Sequence, residues 1–194
     1  MKKLLTGIVF TAIASAQWVD VQTAYKPKDN VPTTRIEAGM TRNRFNTYGF
    51  LDFDGTMNKS YPRNAYLQTR ASYELFKGVN AVAEMNVGTD FADTIRFGAL
   101  YSPKLKDNFT VVKFYPAETT GKKGTQIDAY SVQYIGKFAP SVLVNYNVKP
   151  KTTYMELELE YKFSKHVTAY TQMRGFGTPT HPRLQPLFGL KFRR

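Results

Sequence analysis

The sequence predicts an all-β protein, a transmembrane antiparallel up-and-down β-barrel of about twelve strands that follows a removable signal peptide. Three observations carry this prediction: an export signal at the N-terminus, a polar–apolar alternation with a period of two, and the lack of long apolar runs. The 13 Tyr and 14 Phe occur together with a negative mean hydropathy of −0.39. Strands with one apolar and one polar face produce this combination.

Residues 1–16 have the three parts of a signal peptide. Lys2 and Lys3 are the basic part, Leu4 to Ile13 are apolar, and Ala14-Ser15-Ala16 is a small-residue cleavage site. The apolar stretch is shorter than the roughly 20 residues of a membrane-spanning helix, and no later run approaches that length. The mature barrel domain is therefore predicted to be 17–194. Because there is no cysteine, a disulfide scaffold, a zinc-thiolate site and a thiol enzyme are excluded.

The period of two is clearest over 153–163. Met155, Leu157 and Leu159 point to one face there, and Glu156 and Glu158 point to the other. Similar segments of about ten residues, the length that crosses a bilayer at a tilt, recur along the chain. The predicted strands are 18–26, 33–42, 44–54, 65–76, 79–88, 94–102, 109–116, 125–136, 141–149, 153–163, 166–175 and 184–193.

The predicted connections alternate in length, as the short periplasmic turns and longer external loops of membrane barrels do. The short ones are 42–43, 77–78, 136–140 and 164–165, with a somewhat longer one at 102–108, and the longer polar ones are 55–64, 89–93, 117–124 and 175–183. Without 18–26 the strands number eleven, whereas bacterial barrels have an even number with both termini in the periplasm. We therefore predict that 18–26 is a strand and that the barrel has twelve, with ten as the alternative if the two weakest do not form.

A soluble β-sandwich also alternates, but two features favour the membrane. The predicted strands are longer than the usual five or six residues of globular proteins. Aromatic residues recur near the strand ends, as in an interfacial girdle: Tyr73, Tyr101, Tyr134, Tyr161 and Phe163. The predicted location is the bacterial outer membrane.

The last strand supports this location by a resemblance. Leu187-Phe188-Gly189-Leu190-Lys191-Phe192 resembles the C-terminal assembly signal of outer-membrane barrels, which implies the outer-membrane assembly machinery as a partner; here Arg193 and Arg194 follow the aromatic residue. In size, strand number and basic excess, the chain is also similar to the small twelve-stranded oligogalacturonate-specific porin family. That resemblance implies a monomeric channel for acidic oligosaccharides.

If the apolar face meets lipid, the opposite face lines the interior. The predicted pore-lining residues are Arg35, Arg44, Arg70, Arg96, Lys113, Arg174, Lys191, Glu74, Glu84, Glu156, Glu158 and Glu160, and Glu37 and Asp52 share their parity. The formal net charge of +12, with only two lysines in the signal peptide, favours anionic partners such as small anionic solutes and lipopolysaccharide.

Because the predicted interior carries both basic and acidic residues, two interpretations remain open. In a porin-like channel for passive diffusion of small, anionic solutes, the charges line opposite walls of an aqueous pore. In a plugged structural barrel, which interacts with lipopolysaccharide or surface partners, the same charges pair across a narrow interior.

A lipid-modifying enzyme is a third, weaker interpretation. His166-Val167-Thr168 does not match the membrane phospholipase pattern of a histidine followed two residues later by serine, and His181 stands in a proline-flanked loop. We predict no catalytic residues, no cofactor and no metal site, and no nucleic-acid partner, since no motif for these is present.

Overall fold

The structure is a computed structural model, and it describes residues 16–27, 31–55, 64–89, 93–119, 124–149, 151–178 and 181–193. The predicted signal peptide lies outside these residues apart from Ala16, and so does Arg194. The named elements are all strands: β1 Trp18–Lys26, β2 Val31–Arg42, β3 Phe45–Asp54, β4 Asn64–Phe76, β5 Val79–Gly88, β6 Thr94–Tyr101, β7 Lys104–Leu105, β8 Asn108–Glu118, β9 Gln126–Gln133, β10 Phe138–Asn147, β11 Thr152–Lys162, β12 Val167–Thr178 and β13 His181–Arg193. None of the described residues forms a helix long and apolar enough to cross a bilayer.

The strands form one closed antiparallel sheet. Each long strand pairs with its neighbours in the chain, β6 pairs with β8, and β1 closes the circle by pairing with β13. The two-residue β7 pairs only with β8 and adds nothing to the wall. The wall therefore has twelve strands, which confirms the predicted fold class and the assignment of 18–26 as a strand and rules out the ten-strand alternative.

The connection between β12 and β13 is shorter than predicted. The sequence suggested a loop over 175–183, but the strands continue to Thr178 and resume at His181, with Gly177 paired to Pro182. Glycine and proline residues favour loops locally, yet the antiparallel ladder extends through this segment. A smaller difference occurs between β9 and β10, where an Ile135–Phe138 bridge with Gly136 at φ 61° makes a tight turn, so β10 begins before Pro140.

The two faces of the wall are opposite in character to those of a soluble protein. Large apolar side chains point outward and are exposed, such as Phe97 at 64% and Phe188 at 55%. Charged side chains point inward and are buried, such as Glu84 at 2% and Asp128 at 1%. A wall of this kind fits a hydrocarbon surround and a polar interior.

Aromatic rings cover two inward-facing glycines where neighbouring strands approach closely. The Trp18 ring lies against Gly39, so a Cβ there would be 2.5 Å from Trp18 Cζ2, and Tyr170 covers Gly189 in the same way. This packing explains the glycine inside the C-terminal motif, since a Cβ at 189 would clash with the backbone oxygen of Thr23 and lie 2.7 Å from Tyr170 Cε1. The seam next to it is closed by Arg193, whose Nη2 lies 2.5 Å from Asp20 Oδ2.

Candidate channel lumen

The strand registers place most of the predicted pore-lining residues on the inward face. Tyr48 on β3 is opposite Arg70 on β4, Arg70 is opposite Glu84 on β5, and Glu84 is opposite Arg96 on β6. Directly opposed residues in an antiparallel pair share a face. The inward-facing members of the predicted set are Arg35, Arg70, Glu74, Glu84, Arg96, Lys113, Glu156, Glu158, Glu160, Arg174 and Lys191. Arg44 differs, because it lies in the exposed turn between β2 and β3, at the rim of the barrel.

One side of the interior is filled by a network around Glu84. Lys113 Nζ lies 3.1 Å from Glu84 Oε2 and 2.8 Å from Asp128 Oδ2, and the side chains of all three residues are at most 8% exposed. Tyr115, which is fully buried, donates a hydrogen bond of 2.8 Å to Glu84 Oε2. Arg96 Nη1 lies 3.8 Å from Glu84 Oε1. Two cations and two carboxylates therefore balance in this network, as buried charges require.

A second network joins β11, β12 and β13. Lys191 Nζ lies 2.6 Å from both Glu158 Oε1 and Glu160 Oε1. Arg174 Nε lies 3.1 Å from Glu156 Oε1, and Gln172 donates hydrogen bonds to Glu156 and Glu158 at 3.3 and 3.1 Å. The three glutamates of the predicted alternating segment thus each have a cationic partner on a neighbouring or next-neighbouring strand.

Arg35 connects the second network to the opposite wall. Its guanidinium holds Asp52 through Nε and Nη2 at 2.5 and 2.7 Å. Its Nη2 also lies 3.9 Å from Glu156 Oε1 on β11, although β1, β13 and β12 stand between β2 and β11 in the wall. This contact crosses the interior, so side chains from distant strands meet at the level of Arg35 and Glu156.

The more accessible part of the interior runs along β3 and β4. Tyr48, Phe50 and Tyr66 form a row with ring centroids 6.1 and 5.4 Å apart, and all three are half-buried. The Arg70 guanidinium lies 5.0 Å from the centre of the Tyr48 ring. Within the described part of the chain Arg70 makes no ion pair within 4.0 Å, in contrast to Arg35. It is therefore a lumenal guanidinium whose donors are available to a solute.

Sequence reasoning did not single out several inward-facing charges, among them Asp20, Lys26, Asp54 and Asp128. Lys26 and Asp54 form an ion pair of 2.6 Å near the ends of β1 and β3. Asp128 alternates with Ile127 and Ala129 inside the predicted strand 125–136. Applying the alternation of inward and outward side chains to every predicted strand would therefore have placed Asp128 on the inward face. The acidic residues of the described strands face inward, whereas much of the basic excess lies in the connections, as at Lys137, Lys149, Lys151 and Lys165. The interior is consequently mixed in sign.

His166 is exposed in the turn after β11, and its Nδ1 lies 3.0 Å from the carbonyl oxygen of Arg193. Within the residues described, no group of three or more potential ligands is placed to hold a metal ion. The side chain of His181 is outside the described part.

No protein-family model and no curated protein sequence matches the chain. Solved structures do. The KdgM porin aligns with a TM-score of 0.62 at 10% identity, over 90% of this chain and 98% of that one. The NanC porin aligns with a TM-score of 0.58 at 13% identity, again over 90% and 98%. Outer membrane phospholipase A from Escherichia coli aligns with a TM-score of 0.62 at 13% identity, over 91% and 89%.

These similarities show the fold: the chain is a closed antiparallel barrel like those of the KdgM and NanC porins and of outer membrane phospholipase A. Since a porin and a phospholipase align equally well, the fold alone does not separate a channel from an enzyme.

Proposed function

We propose that this protein is a porin-like channel of the bacterial outer membrane that admits small, anionic solutes by passive diffusion. The observation that carries the proposal is a closed twelve-strand wall with an apolar outer face and a charged inner face. About eight strands leave an interior just wide enough for side chains, and sixteen leave an aqueous channel. Twelve strands lie between these limits, which suits a narrow passage for small solutes. The similarity of the fold to two porins and to an outer-membrane phospholipase supports the membrane location.

The preference for anions rests on Arg70. The other lumenal cations of the two networks are neutralised by carboxylates, whereas Arg70 is half-buried and stacks on Tyr48. A guanidinium binds a carboxylate or phosphate with two parallel hydrogen bonds. Acidic oligosaccharides are one class of such anions, and a KdgM structure at 11% identity was solved in complex with disordered oligogalacturonate.

Single-channel recording of the refolded protein in planar bilayers tests this function. We expect steady conductance and, across a KCl gradient, a reversal potential that shows anion preference. Arg70→Gln should move the reversal potential toward zero and leave the conductance measurable, because the substitution removes one lumenal charge that forms no ion pair with the described residues. Lys137→Gln, in an exposed turn, is the matched control and should record like the wild type. A conducting protein without anion preference would contradict the role of Arg70.

The second candidate is a plugged barrel with a structural or surface-binding role. It is favoured by the burial of the Glu84 network and by the contact of Arg35 with Glu156 across the interior. The same recordings distinguish the two functions. A folded, inserted barrel that never conducts would overturn the channel and leave the structural role.

A further inference from the structure

The outward face of β2 to β5 is recessed. A cavity of about 450 Å³ opens there, and its lining includes the outward side chains of Ile36, Leu51, Leu67, Ala71 and Met85. Leu67 points outward and yet is only 8% exposed, whereas outward leucines on other strands, such as Leu159 and Leu190, are 44% and 40% exposed. We call this recess the wall groove.

Small side chains in register explain the recess. Ala38 is opposite Gly49 across β2 and β3, Thr47 is opposite Ala71 across β3 and β4, and Ala71 is opposite Ala83 across β4 and β5. Toward the longer connections, Ile36, Leu51 and Leu67 form an adjacent row of larger apolar side chains. The small side chains therefore form the floor of the wall groove, and the row of Ile36, Leu51 and Leu67 forms one raised side of it.

The surroundings of the groove determine what fills it. Its residues lie near the middle of their strands, between the short turns at 43–44 and 77–78 and the opposite barrel rim, and they continue the outward apolar face. At this height an outer-membrane barrel is surrounded by lipid chains. A hydrocarbon chain seated in a concave apolar surface contacts atoms on several sides, which a chain lying on a convex wall does not.

We propose that the wall groove is a binding site for one acyl chain of a membrane lipid. The outward side chains of the lining are apolar apart from the hydroxyl groups of Thr47 and Thr69; Tyr48, Arg70 and Glu84 also border the cavity, but they belong to the inward face of the wall. The outer surface of the groove therefore matches a chain and not a headgroup. A second copy of the barrel fits less well, because two convex walls do not fill a recess. The proposal rests on the outer-membrane location proposed above but not on conduction.

Native mass spectrometry of the barrel, refolded with phosphatidylethanolamine and then washed in detergent, tests the site. We expect the wild type to retain one lipid per barrel and Ala71→Leu, which fills the groove, to fall to background. Ala129→Leu is the matched control, since Ala129 is an exposed outward residue of β9, and it should retain the lipid. Ala83→Leu serves as a second filling variant if Ala71→Leu does not fold.

A second measurement needs no variant. Trp18 is the single tryptophan, and its ring lies on the inner side of Gly39, whose backbone also borders the wall groove on the outer side. Quenching of its fluorescence by a phospholipid with brominated chains should saturate at one lipid per barrel. Equal lipid retention by the Ala71→Leu and Ala129→Leu variants, quenching that never saturates, or a dimer that Ala71→Leu dissociates would overturn the proposal. A barrel that retains the lipid but does not conduct would contradict the proposed channel function and leave the lipid site standing.

Discussion

Replacing Lys113 by Met tests how the interior is held together. The ammonium group lies between Glu84 and Asp128 at 3.1 and 2.8 Å, and the two carboxylates are 1% exposed. Methionine keeps much of the side-chain volume and removes the charge. Two buried carboxylates then lose the cation between them, and Arg96, 3.8 Å from Glu84, is the nearest cation left in this network.

The expected loss of unfolding free energy is about 3–5 kcal/mol, the cost of removing one partner from a buried ion pair. A loss of this size raises the equilibrium constant for unfolding by more than about a hundredfold. Neutralising one of the stranded carboxylates should recover part of the loss, so the double variant Lys113→Met, Asp128→Asn should be more stable than Lys113→Met alone. This non-additivity follows because the two residues share one network.

Urea unfolding of the refolded barrel in lipid vesicles, followed by Trp18 fluorescence, measures this loss. The matched control is Lys137→Met, whose exposed position in the turn before β10 predicts a change within about 0.5 kcal/mol. If Lys113→Met costs no more than this control, the ion pairs of Lys113 do not stabilise the barrel. Water would then have to solvate the Glu84 network, and the interior would be more open than the packing indicates.

Three further predictions concern the seam, a covered glycine and the turn histidine. Asp20→Asn removes the carboxylate that Arg193 holds at 2.5 Å and should cost about 0.2–1 kcal/mol by urea titration, since the Arg193 side chain is 63% exposed; an unchanged midpoint would show that the seam does not need the pair. Gly39→Val places methyl groups where the Trp18 ring lies, so the barrel should lose about 1–3 kcal/mol and the tryptophan emission should shift, whereas identical spectra would contradict the contact. Phospholipid hydrolysis should remain at background both in the wild type and in His166→Ala, and hydrolysis that the substitution abolishes would establish an enzyme.

The alternating pattern of the sequence determined the fold class and much of the lumenal face. Because side chains in a strand alternate with a period of two, the facing of Glu156, Glu158 and Lys113 is a local property of the chain. The even strand number of bacterial barrels then identified Trp18–Lys26 as a strand. Local signals failed at 175–183, where the paired ladder continues through glycine and proline, and at Arg44, which belongs to a turn.

Only the tertiary structure decided which charges meet and where the wall is recessed. The partners of Arg35, Lys113 and Arg193 depend on register and on closure of the sheet, and Asp20 and Arg193 are 173 residues apart in the chain. The wall groove likewise requires small residues of four strands to align, which the sequence of any one strand does not specify. The face of a strand on which a residue lies is a local property that can be predicted from the sequence. The pairing of charged side chains and the curvature of the wall arise only when the barrel closes.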